Sequence, residues 1–161
     1  MSLDNTEKIG RGTWLDKIAD DIIKRENKLS RNLDLIRVES GLGASGIPHV
    51  GNASDAIRAH GVRLAIEDLG YKSELITYSD DLDGLRKVPD GLPEKLQQDL
   101  GKPVSRITDP FDCHDSFGHH MSSILHEALD EVNVPYTHIS GAESYRNGIL
   151  NDNIKTILEN S

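Results

Sequence analysis

The chain has 161 residues, 27 acidic against 18 basic side chains, a formal charge of −9 at pH 7 and a single cysteine. That length suits one domain able to bury a core unaided, and the lone Cys113 excludes an intrachain disulfide. The negative charge argues against broad nucleic-acid affinity, and no apolar run reaches membrane-spanning length.

From Thr13, a residue suited to capping, Trp14, Leu15, Ile18, Ala19, Ile22 and Ile23 recur at helical spacing and predict a helix toward Lys28. Leu35, Ile36 and Val38 predict a short buried strand that runs into a glycine-rich turn. A helix over about 52–69 follows, with Ala53, Ile57, Leu64, Ala65 and Leu69 on one side and Gly70 as its stop. Leu75, Ile76 and Tyr78 predict a second strand and complete a βαβ unit. The pattern then breaks. Residues 79 to about 117 form a connection punctuated by Pro and Gly, of the irregular length that usually carries function. A third helix over 117–132 has Met121, Ile124, Leu125, Ala128 and Leu129 as its core stripe. A strand over 136–139 and a last helix over 150–158 end the chain, with no internal repeat or low-complexity tract.

Residues 38–52 are the most informative stretch. Glycines at 41, 43, 46 and 51 permit positive φ and close approach of a ligand to the main chain. A helix beginning near Asn52 aims unpaired N–H groups and its positive end at an anion. His49 and Asn52, three residues apart, share a face there. This is the layout of a phosphate-handling turn; the plainer alternative is a capped βα turn with a chance histidine. Residues 41–46 also match the glycine fingerprint of dinucleotide-binding folds. However, Pro48 and His49 delay the helix, and the residue about twenty positions on, Glu67, falls inside a helical pattern instead of at a strand end. A nicotinamide or flavin cofactor is therefore disfavoured.

In open α/β sheets ligands bind beyond the carboxyl ends of the strands. Three such ends here carry polar groups: the glycine turn with His49, the pair Asp80 and Asp81, and residues 140–143 (Ser-Gly-Ala-Glu). Together they outline one crevice. Twin carboxylates favour a cationic group such as an amine, the alternative being a solvated turn. Residues 109–120 crowd carboxylate, thiol and imidazole donors together and read as a zinc site. Asp109, Cys113, His114 and His120 would close a four-coordinate shell, with His119 or His126 as substitutes. A closed shell is structural and would pin the irregular connection to the third helix. The alternative is a lone thiol among surface histidines.

With these motifs the chain resembles the N-terminal half of the catalytic domain of class I lysyl-tRNA synthetases over about 14–148. His49-Val50-Gly51-Asn52 resembles the family's version of the class I signature, residues 80–89 (Asp-Asp-Leu-Asp-Gly-Leu-Arg-Lys-Val-Pro) its acidic strand-end motif, and 109–120 its zinc-binding segment. The resemblance implies a Rossmann-like α/β fold, a parallel sheet flanked by helices with a zinc-stabilised irregular insertion at about 79–117, all within one partial catalytic domain over 1–161. It implies activation of lysine by ATP with Mg, then transfer of the lysyl group to tRNA(Lys). On that basis His49 and Asn52 contact ATP phosphates, while Ser40, Gly41, Gly43, Ser45, Gly46 and Gly51 line the ATP and lysine pocket. Asp80 or Asp81 holds a lysine ammonium, and Asp109, Cys113, His114 and His120 are the zinc ligands. Gly43-Ala44 stands where family members commonly have Thr-Pro, and no Lys-Met-Ser-Lys-Ser-like loop is found. The chain is thus expected to be a piece of a larger enzyme. Other readings are a non-catalytic zinc-stabilised module and a small nucleotidyltransferase of the same fold. The lack of a secretory segment predicts a cytoplasmic protein with no membrane or DNA partner.

Overall fold

Three parallel strands form one sheet in the order β1-β2-β3, in a computed structural model that describes residues 12–161. α1 (Trp14–Lys28) precedes β1 (Ile36–Leu42), and α2 (Val50–Asp68) leads back to β2 (Ser73–Ser79). A long connection with two short 3-10 turns, Glu94–Asp99 and Val104–Arg106, leads to α3 (Phe117–Glu131). Then come β3 (Thr137–Ser140), α4 (Gly141–Arg146) and α5 (Asn151–Glu159). Thr13 caps α1 as expected, in a reciprocal box with Asp16. Gly70, at φ +89°, stops α2, a conformation that a Cβ would strain.

Leu42 of β1, Leu75 of β2, Ala56 of α2 and Leu125 and Leu129 of α3 share one buried cluster, so both crossover helices cover the same face of the sheet. A second cluster joins Ala19 and Ile23 of α1 to Ile36 and to Val62, Ala65 and Ile66 of α2. On the opposite face Arg37, Glu39 and Gly41 are exposed, and Arg37 pairs with Glu74 across the strands.

The core stripe of α2 differs from expectation. Ala56, Val62, Ala65 and Ile66 are buried, whereas Ile57, Leu64 and Leu69 are 41–49% exposed. α2 is pressed between the sheet and α1, and its run of small side chains allows the closest approach there, so packing distance decides over hydrophobic bulk. β1 also runs four residues past Val38. The turn glycines follow suit: 41, 43, 46 and 51 do not adopt positive φ, because Gly41 is a strand residue and the turn is built from ordinary conformations. Gly41 and Gly43 have open space where a Cβ would stand, so what they offer is access to the main chain.

The connection after β2 carries a core of its own. Leu85, Leu96, Val104 and Ile107 are buried with Phe117 and Met121 of α3, and Ala44 of the glycine-rich turn joins the same cluster. Hydrogen bonds from Leu85 to Lys102 (2.9 Å) and from Gly101 to Leu85 (2.8 Å) tie its two limbs together.

Candidate functional site at the carboxyl edge of the sheet

The register pairs Leu42 with Ser79 and Ser79 with Ser140, so all three strands end at one level. The first residue beyond β2, Asp80, donates its backbone N–H to the carbonyl of Leu42 at 2.8 Å. The acidic pair is thereby held at the foot of the glycine-rich turn. Gly46 in that turn approaches Pro89 of the connection. Ser45 is half-buried, whereas Ser40 lies within β1 on the side of Leu42, its hydroxyl buried without a partner.

His49 is the N-cap of α2, which therefore starts at Val50, two residues before the expected position. Its Nδ1 accepts the backbone N–H of Gly51 at 3.0 Å, and its own N–H donates to Asn52 Oδ1 at 3.0 Å. A Cβ on Gly51 would stand 2.7 Å from the imidazole, so only glycine lets the ring fold over the helix end. Since Nδ1 accepts, the ring proton sits on Nε2. The structure shows the capping reading: His49 takes the N–H groups of Gly51, Asn52 and Ala53 that were expected to be unpaired, through its Nδ1 and its carbonyl.

The two acids have different surroundings. Asp81 is buried: Oδ1 accepts the Ala142 N–H at 2.7 Å, Oδ2 accepts the Ser140 hydroxyl, and its carbonyl accepts the Ser105 N–H at 2.9 Å. It ties β2 to α4 and to the connection. Asp80 is exposed, and its carboxylate has no partner among the described residues. Residues 140–143 lie at the end of β3 as expected and run directly into α4, which was not foreseen, with Ser140 as both the last strand residue and the N-cap.

Asp109, Cys113, His114 and His120 bring one donor atom each to within 4.8 Å of one another, a group able to hold a metal ion. The sulfur lies 3.2 Å from Nδ1 of His114 and of His120, and 3.3 Å from Asp109 Oδ2. The two Nδ1 atoms are 3.3 Å apart, and they lie 3.9 and 3.3 Å from that carboxylate oxygen. Burial pushes the Asp109 carboxyl up, but backbone N–H groups of Phe111, Cys113 and His114 at 2.9–3.1 Å outweigh it and hold it well below the usual carboxylate range. Desolvation, then the Asp109 carboxylate, holds the Cys113 thiol above its ordinary value, a balance that a divalent cation reverses. Phe111 stacks on His120, and the first turn of α3 delivers that histidine. His119 lies outside the group, edge-on to His114, and His126 is elsewhere.

Sequence reasoning missed a polar layer beneath α3. Thr77 Oγ1 meets His126 Nε2 at 3.2 Å, and Ser79 Oγ meets Ser122 Oγ at 2.8 Å and His138 Nε2 at 3.1 Å. His126 stacks on Tyr136 and lies edge-on to His138. Burial, then the neighbouring His138, pushes the His126 pKa down to about 4. The available signal was polar residues two apart in β2 facing polar residues four apart in α3.

The fold is Rossmann-like, of the class I aminoacyl-tRNA synthetase type. The family model described as tRNA synthetases class I (K) matches residues 12–161. The chain belongs to that family, the class I lysyl-tRNA synthetases. A protein named Lysine--tRNA ligase from Cenarchaeum symbiosum (strain A) is 55% identical over 155 residues, covering 96% of this chain and 30% of the relative. Proteins of the same name from Pyrococcus horikoshii and Roseobacter denitrificans are 33% and 34% identical over 91% and 92% of this chain. The chain spans about 30% of the length of such curated relatives. Among the described residues no helix is long and apolar enough to cross a membrane.

Proposed function

We propose that the chain is the first part of the catalytic domain of a lysine–tRNA ligase, acting in the cytoplasm. There ATP, bound with Mg, activates lysine to lysyl-adenylate, and the lysyl group passes to tRNA(Lys). The observation that carries the reading is the Asp80 N–H to Leu42 carbonyl bond. It joins the two motifs through the main chain, with the exposed Asp80 carboxylate unpartnered among the described residues.

In the first step a lysine carboxylate oxygen bonds to the α-phosphorus of ATP while the bond to the bridging oxygen breaks and pyrophosphate leaves. In the second, a ribose hydroxyl of tRNA takes the lysyl carbonyl and AMP leaves. His49 Nε2–H and the amide nitrogen of Asn52 supply donors for phosphate oxygens as charge develops in the transfer, and the α2 dipole favours that charge, while the N–H groups of Gly51, Asn52 and Ala53 are already taken by His49. Exposed main chain at Gly41 and Gly43, with the half-buried Ser45, Gly46 and Gly51, forms the wall of the pocket, from which Ser40 is set back by its buried hydroxyl. Asp80 pairs with a lysine ammonium. Asp81, whose oxygens are already bonded to Ser140 and Ala142, positions α4.

Zinc fits the donor group. Ligand atoms about 2.0–2.3 Å from a tetrahedral zinc lie roughly 3.3–3.6 Å apart, close to the 3.2–3.9 Å separations here. One thiolate, two imidazoles and one carboxylate fill four positions, so the ion would supply folding energy and no open coordination position.

Calorimetric titration with lysine, ATP and a non-hydrolysable lysyl-adenylate analogue tests the reading. The analogue is expected to bind more tightly than either substrate and to weaken about tenfold or more in Asp80→Asn. Absence of binding by all three at millimolar concentration overturns it.

A further inference from the structure

Ser79, the last residue of β2, is buried between α3 and β3. Its hydroxyl lies 2.8 Å from Ser122 Oγ of α3 and 3.1 Å from His138 Nε2 of β3, and Ser122 Oγ in turn donates to the Gly118 carbonyl at 2.9 Å. Counting protons leaves one arrangement in which all three contacts are hydrogen bonds. The carbonyl can only accept, so it takes the single proton of Ser122. Ser122 then accepts from Ser79, whose own proton is used there, and Ser79 accepts from His138. The chain therefore runs in one direction, from His138 Nε2–H through the Ser79 and Ser122 hydroxyls to Gly118. Both serines are 1% exposed, so water does not replace a partner that is lost.

The place of Ser79 matters because of the residue that follows it. The Asp80 carboxylate has no partner among the described residues, so only the main chain on either side places it. That main chain is held at three points: Asp80 N–H bonds to the Leu42 carbonyl, Asp81 to Ser140 and to the Ala142 N–H, and Ser79 to His138. His138 and Ser140 are two residues apart and on one face of β3, in register with Thr77 and Ser79. β3 thus grips the residues just before and just after Asp80. His126, bonded to Thr77 at 3.2 Å, backs the His138 ring edge-on, with centroids 4.5 Å apart.

We propose that His138 is a positioning residue for the amine-binding carboxylate of Asp80, acting through Ser79. The identity of the amine rests on the proposed function, whereas the clamp itself rests on the hydrogen-bond chain. A phenylalanine in place of His138 would fill similar space, leave the Ser79 oxygen one donor short and free the end of β2 to shift. Small displacements of a group that contacts substrate are enough to weaken it. ATP binding, which draws on His49 and Asn52 at the start of α2, lies outside this chain and is spared.

The test is calorimetric titration of lysine and, separately, of ATP with Mg, joined to amide exchange at Asp80 and thermal melts of every variant. His138→Phe is expected to raise the Kd for lysine about tenfold, to leave that for ATP within about twofold, and to speed exchange of the Asp80 N–H. His138→Gln should restore lysine binding, since its amide nitrogen can stand near the place of Nε2 and donate. Ser122→Ala should repeat the effect from the α3 side, and its combination with His138→Phe should weaken lysine by less than the product of the two, as members of one chain do. A two-bond proton–nitrogen spectrum should show the His138 proton on Nε2. Lysine and ATP affinities that fall together with Tm, failure of glutamine to rescue, or a bare Nε2 each overturns the assignment. A response of lysine binding to Asp80→Asn without one to His138→Phe overturns the positioning role and spares the proposed function. Lysine binding that ignores Asp80→Asn removes the proposed role of Asp80; faster exchange of its N–H in His138→Phe then still supports the clamp, and equal exchange overturns it.

Discussion

Ala44 and Phe117 lie in one buried cluster, both fully inaccessible to solvent. One belongs to the turn that leads to His49, the other opens the helix that carries His120. The group able to hold a metal ion and the glycine-rich turn are therefore packed on the same small core.

Loss of metal should accordingly be felt at the turn. Cys113→Ser, or chelation of the wild-type protein, is expected to speed amide exchange at residues 43–49 as well as 80–116 and to lower Tm by about 5 °C or more. Exchange confined to 109–116 would disconnect the two. Freshly purified protein should contain one equivalent of zinc by elemental analysis.

His49 serves as a cap, so its removal has a structural cost. His49→Ala should cost about 1 kcal/mol, or roughly 2–4 °C in Tm. Asparagine is a strong N-cap. His49→Asn is therefore expected to keep the Tm while losing ATP affinity, as read by calorimetry. Equal ATP binding by wild type and His49→Asn would reduce the histidine to a cap.

The acidic pair should separate by substitution. Asp81→Asn leaves the bonds to Ser140 and Ala142 imperfectly matched and is expected to cost about 2–3 kcal/mol by denaturant titration. Asp80→Asn should leave stability within about 0.5 kcal/mol and weaken lysine binding. The reverse pattern would exchange their roles.

Acid should test the polar layer. His126 has its folded pKa pushed down to about 4, below the ordinary value of 6.5, so the unfolded chain binds the extra proton first. The neutral ring's contribution is whole above about pH 6.5, declines as the pH falls, and is lost by about pH 4, at most about 3 kcal/mol. His126→Gln should flatten the Tm profile between pH 6.5 and 4 relative to wild type. Parallel profiles would place the acid sensitivity elsewhere.

Local structure was legible in the sequence wherever the cause is local. The cap at Thr13, the stop at Gly70 and the three strands follow from side-chain chemistry and periodicity within a few residues. The metal-binding donors are also close in sequence, four groups within a dozen positions, so a single turn and the first turn of α3 suffice to gather them. Asn52 and His49 were legible for the same reason, three residues apart at a helix start.

Contacts between distant segments were not. Which face of α2 is buried, which of Asp80 and Asp81 is engaged, and how Thr77, Ser79, Ser122, His126 and His138 join all depend on strand register and on the path of residues 80–116. The amino-acid order alone determined α1, α2, α3, α5 and the three strands, the cap at Thr13 and the donor-rich segments, because those energies arise between neighbours along the chain; α4 and the 3-10 turns were not read from it. Only the tertiary structure decided that Asp81 is bonded to Ser140 and Ala142 while the Asp80 carboxylate has no partner among the described residues. Parallel pairing and the returning connection bring together groups whose chemistry carries no mark of the partner they will meet.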